Sequence, residues 1–326
     1  MTTFTRRLQR IGSSFLVSLP KQWVDAHGLD KSTQVQIETT QNSLSITVDE
    51  GRKQSKEVEI PYPLSSEENL SANITGAYLL GYDIITIKGK STISVKDREV
   101  IRESIRRLVG MEILDEDASN INGQFLLDET SLNPEKILKR MSSIALGMFN
   151  ETLLALATGD KTNLQTIPNR DDEINRQYFL LVRFIRSTMV DRRLAGIFNL
   201  ENIDILDYRV AGNILETAGD TIVELAKSIS GTTLSSSDKK KIHDVGKDIE
   251  SIQKKSIDAF ITNNRSLAIE AIKLHAQHQN KISKLRSSLE HKKQIPLAFL
   301  DLVYMFEKIA QSWSDISDLV QPTYKK

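Results

Sequence analysis

The sequence predicts a multi-domain α+β protein in three parts: a small β unit over residues 1–50, an α+β segment over 51–132, and an all-α bundle over 133–326. Two changes of period predict it. Apolar residues alternate with polar ones in short runs up to about Val48, and the two patterns mix through the next part. From Asn133 onward the apolar residues step by three or four. A chain of 326 residues can hold two or three such parts and bury substantial cores.

The first part opens on cations. Arg6, Arg7 and Arg10 precede any acid, the first being Asp25. Gly12–Ser14 supplies a turn into an alternating strand, Phe15–Leu19, which stops at Pro20; a short helix from Lys21 to His27 follows and ends at Gly28. Gln34–Glu38 and Leu44–Val48 alternate again, with Gln41–Ser43 as the hairpin turn between them. So small a β unit makes a poor core alone, which predicts obligate dimerisation.

Composition bounds the partners. Lysine plus arginine number 43 and the acids 43, so no overall field draws the chain to nucleic acid, and any such binding must come from a local patch. There are no cysteines, which excludes disulfides, thiolate metal sites and cysteine nucleophiles and fits a reducing cytoplasm. No run is long and apolar enough for a membrane span or a signal peptide. The expectation is a cytoplasmic protein without membrane insertion.

Gly-Ser-Ser-Phe-Leu-Val-Ser-Leu-Pro-Lys, followed by Gly28-Leu29-Asp30-Lys31 and paired alternating strands, resembles the SpoVT/AbrB-like swapped-hairpin domain over residues 4–48. The resemblance implies a dimer in which two chains interleave hairpins into one β-barrel that binds double-stranded DNA. It points to Arg6, Arg7, Arg10 and Lys21 as DNA contacts, with Ser13 and Ser14 touching phosphate. The bland alternative is that these cations are solvated charges protecting a β edge. Paired in a dimer they amount to about eight cations, enough for salt-sensitive affinity with little base discrimination.

A polar joint leads to a strand at Val58–Ile60, a helix near 66–80, and a strand at Ile84–Lys88. Next come a helix near 96–109 and two strands near Met111–Asp115 and Phe125–Leu127. This βαβαββ run carries no Gly-rich phosphate cradle and no catalytic set, and suits a spacer or oligomerisation unit.

In the third part Asn133-Pro134 is a capping residue followed by proline at the first helical position. Six apolar stripes follow. The first three run from Ile137 to Leu156, Ile174 to Met189 and Ile203 to Ile229. The second three run from Ile242 to Phe260, Leu267 to Leu289 and Leu302 to Val320. Each gives one face to bury, and together they predict two three-helix units packed as a pseudo-repeat.

Glu216, Asp220 and Glu224 step by four along the third helix, so their carboxylates lie one above another. With Asp171 and Asp172 from the second helix they can hold a divalent or trivalent cation on hard oxygen donors, or form a solvated acidic face or a contact surface. Three stretches carry a second resemblance: Gly159-Asp160, Arg170-Asp171-Asp172-Glu173-Ile174-Asn175-Arg176, and Leu215-Glu216-Thr217-Ala218-Gly219-Asp220. They resemble the PhoU family over about residues 133–320. That likeness implies iron or zinc at Glu216, Asp220, Asp171 and Asp172. The matching place in the second repeat reads Phe306-Glu307-Lys308-Ile309-Ala310-Gln311, where Gln311 replaces the second acid. His275 and His278 lie one turn apart on the fifth helix, as ligands or as ordinary core residues.

A swapped-hairpin unit joined to such a bundle resembles archaeal phosphate-uptake regulators. This implies a DNA-binding transcriptional regulator of phosphate uptake with the bundle as signal input. The alternative is a cytoplasmic metal-binding adaptor that regulates a phosphate transporter or sensor kinase by protein contact. Either would act as a homo-oligomer, a dimer or a higher even number. Catalysis is not expected: no Walker-type loop, no serine–histidine–acid motif and no Glu-x-x-His ligand pair is present.

Overall fold

The computed structural model describes residues 3–39, 44–48, 55–289 and 297–320. The chain divides into two compact units, Met1–Gln54 and Ser55–Lys326. The expected turn at Gln41–Ser43 lies outside the described residues.

In the first unit, β1 (Gln9–Ile11) and β2 (Ser14–Leu16) form an antiparallel hairpin that sets Arg10 opposite Phe15. Gly12 takes φ 61° in the turn, a conformation open to glycine. Arg10 therefore sits within a strand, and the second strand starts at Ser14. Helix α1 (Lys21–Ala26) begins after Pro20, and Gly28 at φ 59° follows its end. Strands β3 (Val35–Thr39) and β4 (Leu44–Val48) pair antiparallel with Ile37 opposite Ile46. The single chain thus forms two separate two-stranded sheets and no closed barrel among its described residues. None of the described residues in this unit is buried, and Phe15 is 66% exposed.

The second unit begins with β5 (Glu57–Tyr62), α2 (Leu70–Leu79), β6 (Ile84–Gly89), α3 (Val95–Arg106), β7 (Met111–Glu116) and β8 (Asn120–Phe125). The sheet order is β5-β6-β8-β7, with β5 parallel to β6 and the other pairs antiparallel. Asn69 and Ser94 cap the two helices by accepting backbone N–H bonds from Ala72 and Asp97. The predicted βαβαββ order stands, with one correction. The last strand is Asn120–Phe125, not 125–127. Its polar, glycine-bearing sequence resembles a turn, yet Gly123 is where the strand must stay flat: an added Cβ would lie 3.2 Å from Ile105 Cδ1.

The bundle comprises α4 (Pro134–Thr158), α5 (Ile167–Val190), α6 (Arg192–Ile197), α7 (Asn202–Gly231), α8 (Ser236–Gly246), α9 (Ile249–Thr262), α10 (Arg265–Ser287) and α11 (Leu297–Asp318). Asn133 caps α4 through Lys136 N, with Pro134 in its first turn. Lys161 Nζ donates to the carbonyls of Ser230 and Thr232 at 2.8 and 3.0 Å and so closes the end of α7. Helices α4, α5 and α7 pack together, as do α9, α10 and α11, while α7 and α11 meet between the two sets.

Three expectations need correcting. The stripe from Ile242 to Phe260 is not one helix but α8 and α9, interrupted at Lys247–Asp248. A Cβ on Gly246 would lie 2.6 Å from Leu153 Cδ1, so the glycine brings this break tightly against α4. Short α6 intervenes unforeseen between the second and third stripes. Met189, Ile203 and Leu206, expected on buried faces, are exposed at 71%, 45% and 55% because these helix ends overhang the core.

One hydrophobic core runs from the sheet through the bundle, including Ile85, Ile101, Phe149, Leu181, Ile222 and Trp313. Phe149 meets Phe306 and Trp313 edge-on at 5.8 and 5.4 Å. Arg183 of α5 is fully buried where sheet and bundle join. It donates to the carbonyls of Tyr78 (3.0 Å) and Tyr82 (2.7 Å) and to Asp83 Oδ1 (2.6 Å), with its guanidinium 3.9 Å from the Phe125 ring centroid.

Candidate functional site

The two predicted sites lie in different units. Along the stretch leading into the β1–β2 hairpin, on the hairpin and on α1, Arg6, Arg7, Arg10, Ser13, Ser14 and Lys21 are all exposed. Arg6 Nη1 and Arg10 Nε donate to the carbonyls of Thr5 and Gly12, each at 3.2 Å, which steadies their side chains without neutralising them. No ion pair engages these four cations among the described residues. Beyond Arg10, which faces Phe15 across the hairpin, the apolar Leu8, Ile11 and Leu16 are exposed. The hairpin therefore presents cations and unburied apolar surface together.

The acidic site is built where α5 and α7 touch. Gly212 and Gly219 stand seven residues apart on α7, two helical turns, and both face α5. A Cβ at Gly212 would lie 2.7 Å from Leu181 Cδ2; one at Gly219 would lie 2.7 Å from Asp171 Oδ1. The missing side chains let Asp171 lie against the backbone of α7. Asp171 is only 9% exposed; Asn175 Nδ2 donates to its Oδ2 at 3.3 Å, and its Oδ1 has no hydrogen-bond partner. Burial, and then the charges of Asp220, Glu216 and Asp172, push its pKa up to about 6. Burial and Asp220 raise that of Glu216 as well.

The structure thus brings Asp171, Asp172, Glu216 and Asp220 into one electrostatic neighbourhood. Among the described residues, however, no three acid or histidine side chains converge tightly enough to form a metal cage. The orphaned Asp171 Oδ1 and the mutual repulsion are what a cation would relieve. An all-oxygen donor set suits iron better than zinc, which favours nitrogen and sulfur. In the sequence the burial of Asp171 is signalled only by the glycine pair: two glycines at i and i+7 inside a helix mark a close helix–helix approach.

Glu173, beside this cluster, takes Arg140 at 2.7 Å and Arg176 at 3.0 Å, so it belongs to a separate network. In the second half of the bundle, His278 is fully buried on α10, and neither ring nitrogen makes a hydrogen bond of normal geometry. Burial, with His275 next, pushes its pKa down to about 4. His275 is also lowered by burial, opposed by Asp315, Asp318 and Glu307 of α11. Gln311 donates to Asp315 at 2.5 Å, and Glu307 is held by Arg286 at 2.5 Å. Histidines and an arginine-paired acid therefore replace the acidic cluster there.

Residues 138–229, which span α4 to α7, match the family model of the PhoU domain. No curated protein matches the sequence. Among solved structures, the chain is similar to the phosphate transport system regulatory protein PhoU from Streptococcus pneumoniae. The two are 21% identical, with 57% of this chain and 91% of that one covered and a TM-score of 0.47. It is also similar to PhoU from Pseudomonas aeruginosa, at 15% identity, 57% and 93% coverage and a TM-score of 0.42. Both scores are low, and the weight rests on the match of residues 138–229. Among the described residues, no helix is long and apolar enough to cross a membrane.

Proposed function

We propose that this chain is a DNA-binding transcriptional regulator of phosphate uptake in which the bundle receives the signal. The observation that carries the reading is the β1–β2 hairpin and the stretch leading into it, with the exposed cations Arg6, Arg7 and Arg10 beside apolar residues that no described part of the unit buries. Pairing with a second copy would cover that apolar surface and double the cations into a patch able to meet duplex phosphates. The acting form is then a homodimer or a higher even number, with barrel closure supplied by the second chain. The PhoU-domain match over residues 138–229 supports a regulatory role in phosphate transport.

Arg7→Ala/Arg10→Ala should reduce affinity for duplex DNA by two orders of magnitude or more at moderate salt and flatten the dependence of log K on log salt. Unchanged binding in the double variant would overturn DNA contact through this hairpin.

A second reading is an adaptor that docks on a phosphate transporter or sensor kinase without touching DNA; it is favoured by the match lying wholly within the bundle. In either reading Glu216, Asp220 and Asp171, with Asp172 at the rim, would hold a metal ion, iron before zinc. Bound there, it would neutralise the repelling carboxylates and tie α5 to α7. Elemental analysis should find iron in the wild-type protein and none in Glu216→Ala/Asp220→Ala; equal content in both would return the acids to the surface.

A further inference from the structure

A cavity distinct from the acidic cluster opens where the α+β sheet meets the bundle. It has a volume of about 280 Å³ and is bounded by the end of α3, the start of β7, and α5. Gly110 takes φ 82° in the short turn between α3 and β7, which places Arg106 and Glu112 on the same cavity. Half-buried Ile113 gives it an apolar side, backed by the core side chains Ile105 and Met111. Arg176 of α5 closes the far side.

The two guanidinium groups are differently held. Arg98 and Arg102 of α3 are both engaged by Glu116, and Arg107 pairs with Glu103 at 3.1 Å. Arg106 has no ion pair among the described residues. Arg176 is oriented by Glu173 at 3.0 Å through one terminal nitrogen, while its Nε is buried without a hydrogen-bond partner. Since Glu173 also takes Arg140, one carboxylate serves two guanidiniums, and the cavity edge keeps positive charge. Complementing the dipole at the end of α3 explains Arg106 alone. It does not explain a second arginine brought to the same cavity by a different element.

We propose that this cavity binds a small phosphorylated compound of the size of a nucleoside monophosphate. Arg106 and Arg176 would take the phosphate through forked N–H bonds. Ile113, half-buried on the same cavity, would cover a ring, and Glu112 would accept an N–H or O–H from its edge. The volume is near the lower end of small-molecule sites, which run from about 300 Å³ upward, and exceeds what a lone inorganic phosphate needs. A ligand there would bridge α3 and β7 to α5, stabilising the packing of sheet on bundle. The inference stands whether or not the amino-terminal hairpin binds DNA.

Isothermal titration of the full chain with AMP, GMP, CMP and UMP tests it, with inorganic phosphate and the matching nucleosides as controls. The expected result is saturable one-site binding of at least one monophosphate. Its nucleoside and inorganic phosphate should each bind at least tenfold more weakly. Arg106→Gln removes an exposed, unpaired side chain, so it should keep the wild-type melting temperature and weaken binding at least tenfold. Arg176→Lys, which keeps the charge and loses the fork, should weaken it less. Absence of binding by all four monophosphates, wild-type affinity in Arg106→Gln, or phosphate binding as tightly as the nucleotides would each overturn the proposal.

Discussion

Helices α5 and α7 in the first half of the bundle, and α10 and α11 in the second, carry matching sequence positions but bury ionisable groups of opposite kind. At matching places one pair has Glu216, Gly219 and Asp220, and the other Glu307, Ala310 and Gln311. The first pair buries a carboxylate, Asp171, among like charges, so that it retains a proton more readily than usual. In the second half α10 buries a histidine, His278, beside Val245 of α8 and Asp248, and it gives its proton up more readily than usual. The two halves of the bundle thus bury ionisable groups of opposite kind, a carboxylate in one and an imidazole in the other. The difference lies in a few side chains at the seam rather than in the fold.

The largest expected effect concerns a buried tie from α5 to another layer, one with no counterpart on α10 among the described residues. Arg183 joins α5 to the sheet through Asp83 and two carbonyls. Removing one member of a buried ion pair typically costs about 3–5 kcal/mol, because the other is left without compensation. Arg183→Met should therefore lower unfolding stability by about that amount in a urea titration. A loss below about 1 kcal/mol would mean that the sheet and α5 are held by apolar packing alone, and that the two halves of the bundle are equivalent in this respect.

Acid should next separate the two halves of the bundle. Asp171 has a folded pKa raised to about 6 against about 3.9 when unfolded, so the folded state binds more protons between those values. Lowering the pH through this window adds stability. His278 has a folded pKa of about 4 against about 6.5 when unfolded, so lowering the pH from 6.5 to 4 removes stability. Each effect is on the order of 3 kcal/mol at its limit, and they oppose one another. Chelator-treated protein can be compared by urea unfolding at pH 7 and 4.5. Relative to wild type, His278→Leu should become more acid-resistant and Asp171→Asn more acid-sensitive. Comparing each with wild type cancels carboxylates such as Asp117, whose hydrogen bonds with Asn120 and Ser119 hold it down at about 2. Parallel pH profiles for all three proteins would remove both groups from the account.

The parts legible in the sequence were those set by local rules. The Asn133–Pro134 start, the period of the long helices and the βαβαββ order depend on caps and on one buried face. What escaped depends on neighbours far along the chain. Strand β8 owes its place to a glycine fitted beneath Ile105, and the α8–α9 break to a glycine pressed on Leu153. Arg183 looks like any surface arginine until the sheet folds over it. At the site, the i, i+4 spacing put Glu216 and Asp220 on one face, and the sequence named Asp171 as their neighbour. It gave no sign that Asp171 would be buried, because that depends on Gly212 and Gly219 drawing two helices together.

The smallest effect is the sharpest test of that last point. Gly219 and Ala310 occupy matching positions, yet a methyl group is tolerated only at the second, where Ala310 is fully buried. In a helix interior alanine should stabilise by about 0.5–1 kcal/mol over glycine, so propensity alone predicts that Gly219→Ala helps and Ala310→Gly harms. The new Cβ at residue 219, however, would lie 2.7 Å from Asp171 Oδ1 and 3.1 Å from Ile174 Cδ1. Overpacking of that kind costs about 1–3 kcal/mol, so Gly219→Ala should be destabilising on balance. Asp171→Ala removes the carboxylate that the methyl group would strike. In that background Gly219→Ala should become neutral or stabilising, a coupling of about 1–2 kcal/mol in a double-mutant cycle. Ala310→Gly should cost about 1 kcal/mol with Asp171 present or absent. Additive behaviour at Gly219 would mean that α5 and α7 do not close on Asp171, and the contrast between the two seams would then reduce to composition.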